Sequence, residues 1–534
     1  MITNQQAAIE TAETYIRALL NQGVDCLFLN PGTDTFPIQE ALSKMEQLGE
    51  RVPRTVLCLF ELVALAAAHG YYAASGRTQA VLVHVDVGTQ NLGSMLHNAQ
   101  RGRAAVVIAA GRSPYTTDAS QRGTRDTNIH WLQEQFDQHG IVRNYVKWEY
   151  ELRRPAQVGE VVARAFQVAS SDPPGPVYLT LPREVLMATP GEVTFPARER
   201  TPPVRLGAGD PEALREVARL LVRSERPVVL TATSGRSRQG FDGLVQLAEQ
   251  LALPIVERPE RTNFPMNHAL HQGFDAAPFV QGADLVLVLD HDVPYIPTKV
   301  APPPGATVVQ IDLDPIKERI PLWSFPVTLP IRADTGRALA AITDYATDFL
   351  TEVTRKKVEQ RRLAMTSAHE ERHARWEAEA DAARSARPIA REWLSHCLGR
   401  LRRDEPACVF VDETVTSSHT LWRYLGLDEP GTIFGSGGSG LGWGVGAAVG
   451  IKLALPDRPV VLLVGDGSFV FGEPLAGLWA AHTSPAPIMI VIFNNACYNA
   501  TKEPLVGAYS DGYSVRGNRF VGIDLVPAPR YDRL

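Results

Sequence analysis

In the stretch VVLLVGDGSFVFGEP an apolar run ends on Asp466, set between Gly465 and Gly467, and farther on the run IMIVIFNN ends on the paired amides Asn494 and Asn495. A carboxylate, an amide oxygen and a nearby backbone carbonyl are hard oxygen ligands, and Mg²⁺ takes a few of these together with water and ligand phosphate oxygens. Consecutive strands of a parallel sheet end side by side, so Asp466 and Asn495 are expected to converge at the carboxyl edge of one sheet. Gly467 would let a diphosphate come close to the backbone. Ser468, opening the next helix, would offer donors at the positive end of its dipole. An Asp-Gly pair alone is more often a turn; the pairing with Asn495 is what points to a metal.

Upstream, TIFGSGGSGLGWGVG places Gly435, Gly437 and Gly440 in the pattern GxGxxG after a short strand, which is the outline of a dinucleotide-binding turn. That fingerprint wants an acid about 20 residues farther on, at the end of the next strand. Asp466 comes 26 residues after Gly440 and sits between glycines. The nucleotide reading is therefore the weaker of the two.

Both stretches need strands to position them. Runs rich in Val, Ile and Leu (DCLFLNPG, RTVLCLF, AVLVHVD, AAVVIAAG; then PVVLTA, DLVLVLD, TVVQIDLD; then ACVFVDE, RPVVLLVGDG, IMIVIFNN) alternate with amphipathic or Ala-rich stretches. Nearly all-apolar strands alternating with helices predict parallel sheets covered on both faces, and the three clusters predict three doubly wound α/β domains. Their expected bounds are 1–188, 206–345 and 386–534. The Pro-rich segment 189–211 separates the first two. The segment from Thr354 to Pro388, dense in both charge signs, is expected to be a solvated helix joining the last two.

A chain of 534 residues fits about three domains. With a formal charge of -6 and a pI near 6.1 it has no basic footprint for nucleic acid. No apolar run is long enough for a membrane span. The opening MITNQQAAIETAETYIRALL lacks the basic and apolar regions of a secretory signal. Cys26, Cys58, Cys397, Cys408 and Cys497 show no CxxC spacing, which fits reduced thiols in a cytoplasm and not a disulfide framework or zinc. Small molecules and copies of itself are the expected partners.

GDGS followed by an apolar strand ending in NN resembles the signature of the thiamine diphosphate enzymes. The resemblance implies thiamine diphosphate and Mg²⁺ as cofactors, with Asp466 and Asn495 as side-chain metal ligands and the carbonyl of Cys497 as a third. The spacing of 29 residues from Asp466 to Asn495 is about two longer than usual in this group. The three domains would be pyrimidine-binding, central Rossmann-like and diphosphate-binding, the last incomplete at its C-terminus or shortened.

Thiamine chemistry also calls for a buried carboxylic acid that engages the aminopyrimidine ring. Glu61, between TVLCLF and an Ala-rich helix with no basic residue within six positions, answers to that requirement and resembles the family's activating glutamate. The stretch LFLNPGTDTFPIQEAL resembles the family's first strand and turn, with Pro31 and Gly32 as cofactor-binding positions. Leu441 matches the apolar residue that bends the cofactor, Ser439 the carbonyl that meets its exocyclic amine, and Thr416 and Ser417 the diphosphate-binding segment. In that fold the cofactor spans two subunits, which implies a homodimer or homotetramer.

The nearest likeness is to the decarboxylase and carboligase branch, benzoylformate decarboxylase and acetolactate synthase included. His84, 23 residues past Glu61, and Thr33, in NPGT, fall where benzoylformate decarboxylase-like enzymes carry an active-site histidine and a substrate-binding serine. A histidine near neutral pKa can move protons to and from a covalent adduct. The second histidine of those enzymes has no clear counterpart: Tyr295, Ile296 and Pro297 stand near its place, and His291 comes several residues early. Asp34 and Asp86 add acidity that would disfavour an anionic substrate unless they point away or are protonated. A small 2-oxo acid or aldehyde is the expected substrate, without flavin, and the segment Lys502 to Arg519 is expected to be a mobile lid. Two other readings remain: acetolactate synthase-like transfer of a two-carbon unit from pyruvate, and a non-catalytic cofactor-binding subunit.

Overall fold

A computed structural model describes residues 9–533. The opening segment read above for a secretory signal begins with residues 1–8, which lie outside the described residues. The chain forms two compact units: one runs to Val204 and resumes at Ser436, and the other spans Arg205–Gly435. The crossing at Val204 falls inside the Pro-rich segment 189–211.

In the first unit, six parallel strands, β1 (Cys26–Asn30), β2 (Arg54–Leu57), β3 (Gln79–Val83), β4 (Val106–Arg112), β5 (Glu149–Glu151) and β6 (Val177–Pro182), lie in the order β2-β1-β3-β4-β6-β5. The chain leaves β1 toward one edge and returns at β3 toward the other. The crevice at that switch point, outside the strand ends, is where open α/β sheets hold ligands. Strands β1, β3, β4 and β6 are buried almost throughout, because helices cover both faces.

The second unit has a five-stranded parallel sheet in the order β11-β10-β9-β7-β8, formed by β7 (Pro227–Thr231), β8 (Ile255–Glu257), β9 (Leu285–Leu289), β10 (Thr307–Asp312) and β11 (Leu329–Arg332). Its core is aliphatic, centred on Val229, Leu247, Leu287 and Ile311. The charged segment forms a 31-residue helix, Glu352–Ala382, capped by the Thr351 hydroxyl. Most of it is exposed, but His369, Trp376 and Ala380 make a buried stripe, so it is not solvated all round. The unit closes with β12 (Val409–Glu413) and β13 (Ile433–Phe434), paired in parallel.

Returning to the first unit, β14 (Val460–Gly465) and β15 (Met489–Phe493) pair in parallel with Gly465 opposite Phe493. The helices Asp466–Phe471 and Pro474–Thr483 connect them. The α/β architecture of parallel sheets expected from the strand pattern is therefore what the chain adopts.

The Glu61–Ser75 helix lies along the Trp443–Ala454 helix within the first unit, and glycines set how closely they approach. A Cβ on Gly450 would lie 1.8 Å from the Ala67 carbonyl oxygen, and one on Gly70 would lie 2.3 Å from that of Ala447. At these two points backbone meets backbone.

Candidate active site

Strand pairing explains the first cluster. β1 and β3 are neighbours with Asn30 opposite Val83, so the turn after β1 and His84 after β3 meet at one edge, joined by the end of β4. His84 Nδ1 is hydrogen-bonded to Asp34 Oδ1. Asp34 is fully buried, and its other oxygen has no hydrogen-bond partner. Two glycines make room for the pair: a Cβ on Gly32 would lie 1.9 Å from His84 Nδ1, and one on Gly111 would lie 1.5 Å from Asp34 Oδ2.

Glu61 heads its helix after the extended Phe60 and is only 4% exposed. Asn91 Nδ2 donates to its Oε2 at 3.0 Å. Its other oxygen faces Gly88, whose added Cβ would lie 2.9 Å from Oε1 and 3.0 Å from the Cβ of His84. Glu61 and His84 thus flank one glycine. Asp86 is turned inward, with Gln135 Nε2 donating to its Oδ2 at 2.9 Å. Burial would lower the His84 pKa, but the Asp34 hydrogen bond and the charges of Asp34, Asp86 and Glu61 outweigh it and hold the imidazole above its ordinary value. Thr33 and Pro31 are exposed in the same turn, and Gly32 lies between them.

The second cluster forms at the ends of β14 and β15. Asp466 is 2% exposed, and its Oδ2 is buried without a hydrogen-bond partner. Burial raises its pKa against the opposing effect of the Gly467, Ala496 and Asn495 amides. Asn494 and Asn495 each fold back through the side-chain oxygen, accepting from the amides of Ala496 at 3.1 Å and Cys497 at 3.0 Å. Ala496 takes φ +54° to make that turn. The Cys497 carbonyl accepts from the Asn499 amide at 3.0 Å. A Cβ on Gly467 would meet the Tyr498 ring at 2.7 Å, so this ring is the group that the glycine admits. Ser468 is buried in the helix that Asp466 opens.

An orphaned carboxylate oxygen, with an amide oxygen and a backbone carbonyl on the turn whose amides reach the same carboxylate, is a donor set that suits Mg²⁺. Each of the two acceptors keeps a second lone pair beyond its backbone bond. The residues fit the metal, and the buried acid of the first cluster fits the pyrimidine half of the cofactor.

The Gly-rich turn has a packing role. Gly440 N donates to Asn98 Oδ1 at 2.9 Å and its carbonyl accepts from Asn98 Nδ2 at 2.8 Å. Gly437 lies so close to Gly102 that a Cβ would be 2.5 Å from its Cα. Ser439 Oγ meets His97 Nε2 at 3.1 Å, and Leu441 is half-buried beside the loop. These contacts account for Gly437 and Gly440 without a nucleotide.

Thr416 and Ser417 belong to the second unit, in the short 3-10 turn after β12, where Asp412 accepts from Ser418 Oγ and Trp422 Nε1. Of the second-histidine candidates, His291 is buried and burial pushes it down to about 3, its Nδ1 accepting from the Val293 amide. Tyr295 is buried and Ile296 exposed. The segment expected to be a lid forms the short helices Asn499–Ala508 and Tyr513–Arg516, largely exposed.

Sequence reasoning missed Asn91, Gly88, Gly111 and Asn98. Asn91 and Gly88 were within reach, since DVGTQN directly follows the His84 strand; Gly111 and Asn98 gave no local signal.

Three family models match in chain order. They are the thiamine pyrophosphate enzyme N-terminal TPP binding domain over residues 9–141, the central domain over 214–342, and the C-terminal TPP binding domain over 414–527. The chain belongs to the thiamine pyrophosphate enzyme family. It is 28% identical over 499 residues to benzoylformate decarboxylase of Pseudomonas aeruginosa, covering 91% of this chain and 85% of that one. To the acetolactate synthase large subunit of Parasynechococcus marenigrum it is 27% identical, covering 96% and 80%. The solved thiamine diphosphate-dependent 4-hydroxybenzoylformate decarboxylase of Rhodococcus jostii RHA1 shares the fold, with TM-score 0.75, 21% identity, and coverage of 97% and 90%. The chain is thus a thiamine diphosphate-dependent enzyme of the lyase and carboligase kind.

Proposed function

We propose that this enzyme decarboxylates a 2-oxo acid without oxidation, with carboligation to an aldehyde as its companion reaction, using Mg²⁺ to hold the diphosphate. The observation that carries the reading is the placement of Glu61 and the Asp34-paired His84 on either side of Gly88, at the switch point of the first sheet. Similarity to benzoylformate decarboxylase supports it; similarity to acetolactate synthase supports transfer of a two-carbon unit as the second reading.

In this reading Asp466, Asn495 and the Cys497 carbonyl would hold the metal, with Gly467 and Ser468 at the diphosphate. Pro31, Gly32, Ser439 and Leu441 would line the cofactor's rings. When bound, thiamine diphosphate supplies a nucleophilic carbon and an electron sink for the cleaved bond. The protein handles protons. Glu61, buried and steadied by Asn91, is the acid that would exchange a proton with the pyrimidine ring of the bound cofactor. His84, whose pKa the Asp34 hydrogen bond raises against the effect of burial, would offer a donor to the substrate carboxylate or carbonyl and, when protonated, deliver a proton once CO₂ has left. Asp34 and Asp86 are turned inward and hydrogen-bonded, so the charge presented to an anionic substrate is the imidazolium. Thr33, exposed beside them, would meet the substrate carboxylate.

The test is CO₂ release and product analysis with benzoylformate and pyruvate, each with and without an acceptor aldehyde. Aldehyde product from a 2-oxo acid supports decarboxylation. Acetolactate from pyruvate as the main product would replace it with the second reading. No release from either, with Glu61→Gln indistinguishable from wild type, would sink both.

A further inference from the structure

The 31-residue helix of the second unit carries HEERH, with His369 and His373 one turn apart, in the H-E-x-x-H spacing that places two imidazoles on one helical face. They face His271, which lies 14 residues past the end of β8 and is bridged back to Ile255 of that strand. One ligating atom from each of the three lies within 4.8 Å of the others, and the rings of His369 and His373 have centroids 4.2 Å apart. Both nitrogens of His271 and Nε2 of His373 are buried without hydrogen-bond partners. A fully buried imidazole with neither nitrogen satisfied is rare in folded proteins and calls for a missing partner.

We propose that His271, His369 and His373 form a binding site for one divalent first-row transition-metal ion, of which zinc is the best match to three imidazoles. Two of the three rings already face an oxygen with the nitrogen that would not hold the ion. His369 Nδ1 lies 2.9 Å from the His271 carbonyl oxygen, which can only accept, so Nδ1 carries the proton and Nε2 keeps its lone pair. Glu257 Oε1, itself buried and without a hydrogen bond, stands 3.6 Å from His271 Nε2, leaving Nδ1 for the ion. Asn263 holds the other carboxylate oxygen of Glu257 at 3.0 Å and so aims the free one. Arg372 is the nearby cation, and its guanidinium is engaged with Gln272 Oε1 at 2.7 Å and the His271 carbonyl.

The motif's central acid, Glu370, is exposed, so it does not stand over the ion as a hydrolytic base would. The role is structural: the ion ties the long helix to the segment that follows β8. This site lies wholly in the second unit and is independent of the thiamine reading.

The test uses the full chain, stripped with a chelator and kept in excess Mg²⁺ so that the oxygen site at Asp466 is filled, then titrated with Co²⁺. One equivalent should bind with the intense visible absorption of tetrahedral cobalt and be displaced by Zn²⁺. His369→Gln and His373→Gln should each weaken binding at least about tenfold and Glu257→Gln about 10–100-fold, while His268→Gln, outside the set, leaves it unchanged. X-ray absorption of the zinc-loaded wild type should show three imidazole nitrogens, which decides the matter even if a variant misfolds. Absence of stoichiometric cobalt uptake, uptake undiminished in both folded histidine variants, or an oxygen-only shell would overturn the proposal.

Discussion

At the residue scale, the pairing of His84 with Asp34 makes the clearest forecast. The raised His84 pKa means that the imidazolium persists above its ordinary range and is lost as pH rises through the raised value. If the cation serves catalysis, kcat/KM falls on that alkaline limb. Asp34→Asn removes the charge and leaves at most a neutral amide acceptor, so burial dominates and the limb should move to lower pH in a pH-rate profile. Glu61→Gln should cost about 10²–10⁴-fold in kcat, the usual span for a proton-transfer residue, with cofactor affinity changed far less. Asp466→Ala should abolish Mg²⁺-dependent thiamine diphosphate binding in a calorimetric titration. Glu61 and Asp466 were legible because a lone acid in an apolar run is chemically odd. Among their partners, Asn91 was within reach in the stretch that follows the His84 strand, whereas Gly111 was not, because it matters only where β4 ends beside the turn that follows β1.

At the element scale, the seam between the Glu61–Ser75 and Trp443–Ala454 helices is the part least tolerant of change. Gly450→Ala would place a methyl 1.8 Å from the Ala67 carbonyl oxygen, with backbone on both sides of the clash. Overpacking of this kind costs about 1–3 kcal/mol. Chemical denaturation should show the loss, whereas Gly507→Ala, with nothing within 4 Å of its added Cβ, should be neutral or slightly stabilising. The ten apolar runs read as strands all became strands, since a parallel strand covered on both faces is written as unbroken Val, Ile and Leu. The strands that escaped notice are short or mixed: β5 reads EYE, β8 and β11 hold only three and four residues, and β6, though buried throughout, reads VYLTLP, broken by Thr180 and ending on Pro182. In the charged helix, the density of Glu and Arg masked a two-histidine spacing that helical periodicity would have shown on one face.

At the scale of the whole molecule, among the described residues no helix is long and apolar enough to cross a membrane. If the cofactor lies between two copies, Glu61 of one serves Asp466 of the other, and the arrangement can be tested genetically. Co-expressed Glu61→Gln and Asp466→Ala chains, each inactive alone, should then recover about one quarter of wild-type activity, because half of randomly paired dimers hold one intact site. A site completed within one chain predicts no recovery. The glycine seam bears on the same question from another side. A helix whose backbone rests directly on its neighbour has no rotamers to reshuffle and little freedom to slide, so the acid at its head is set in place before any ligand arrives. The amides of Ala64 to Ala68 should accordingly rank among the slowest in the protein to exchange with deuterium, and cofactor should leave their rates almost unaltered.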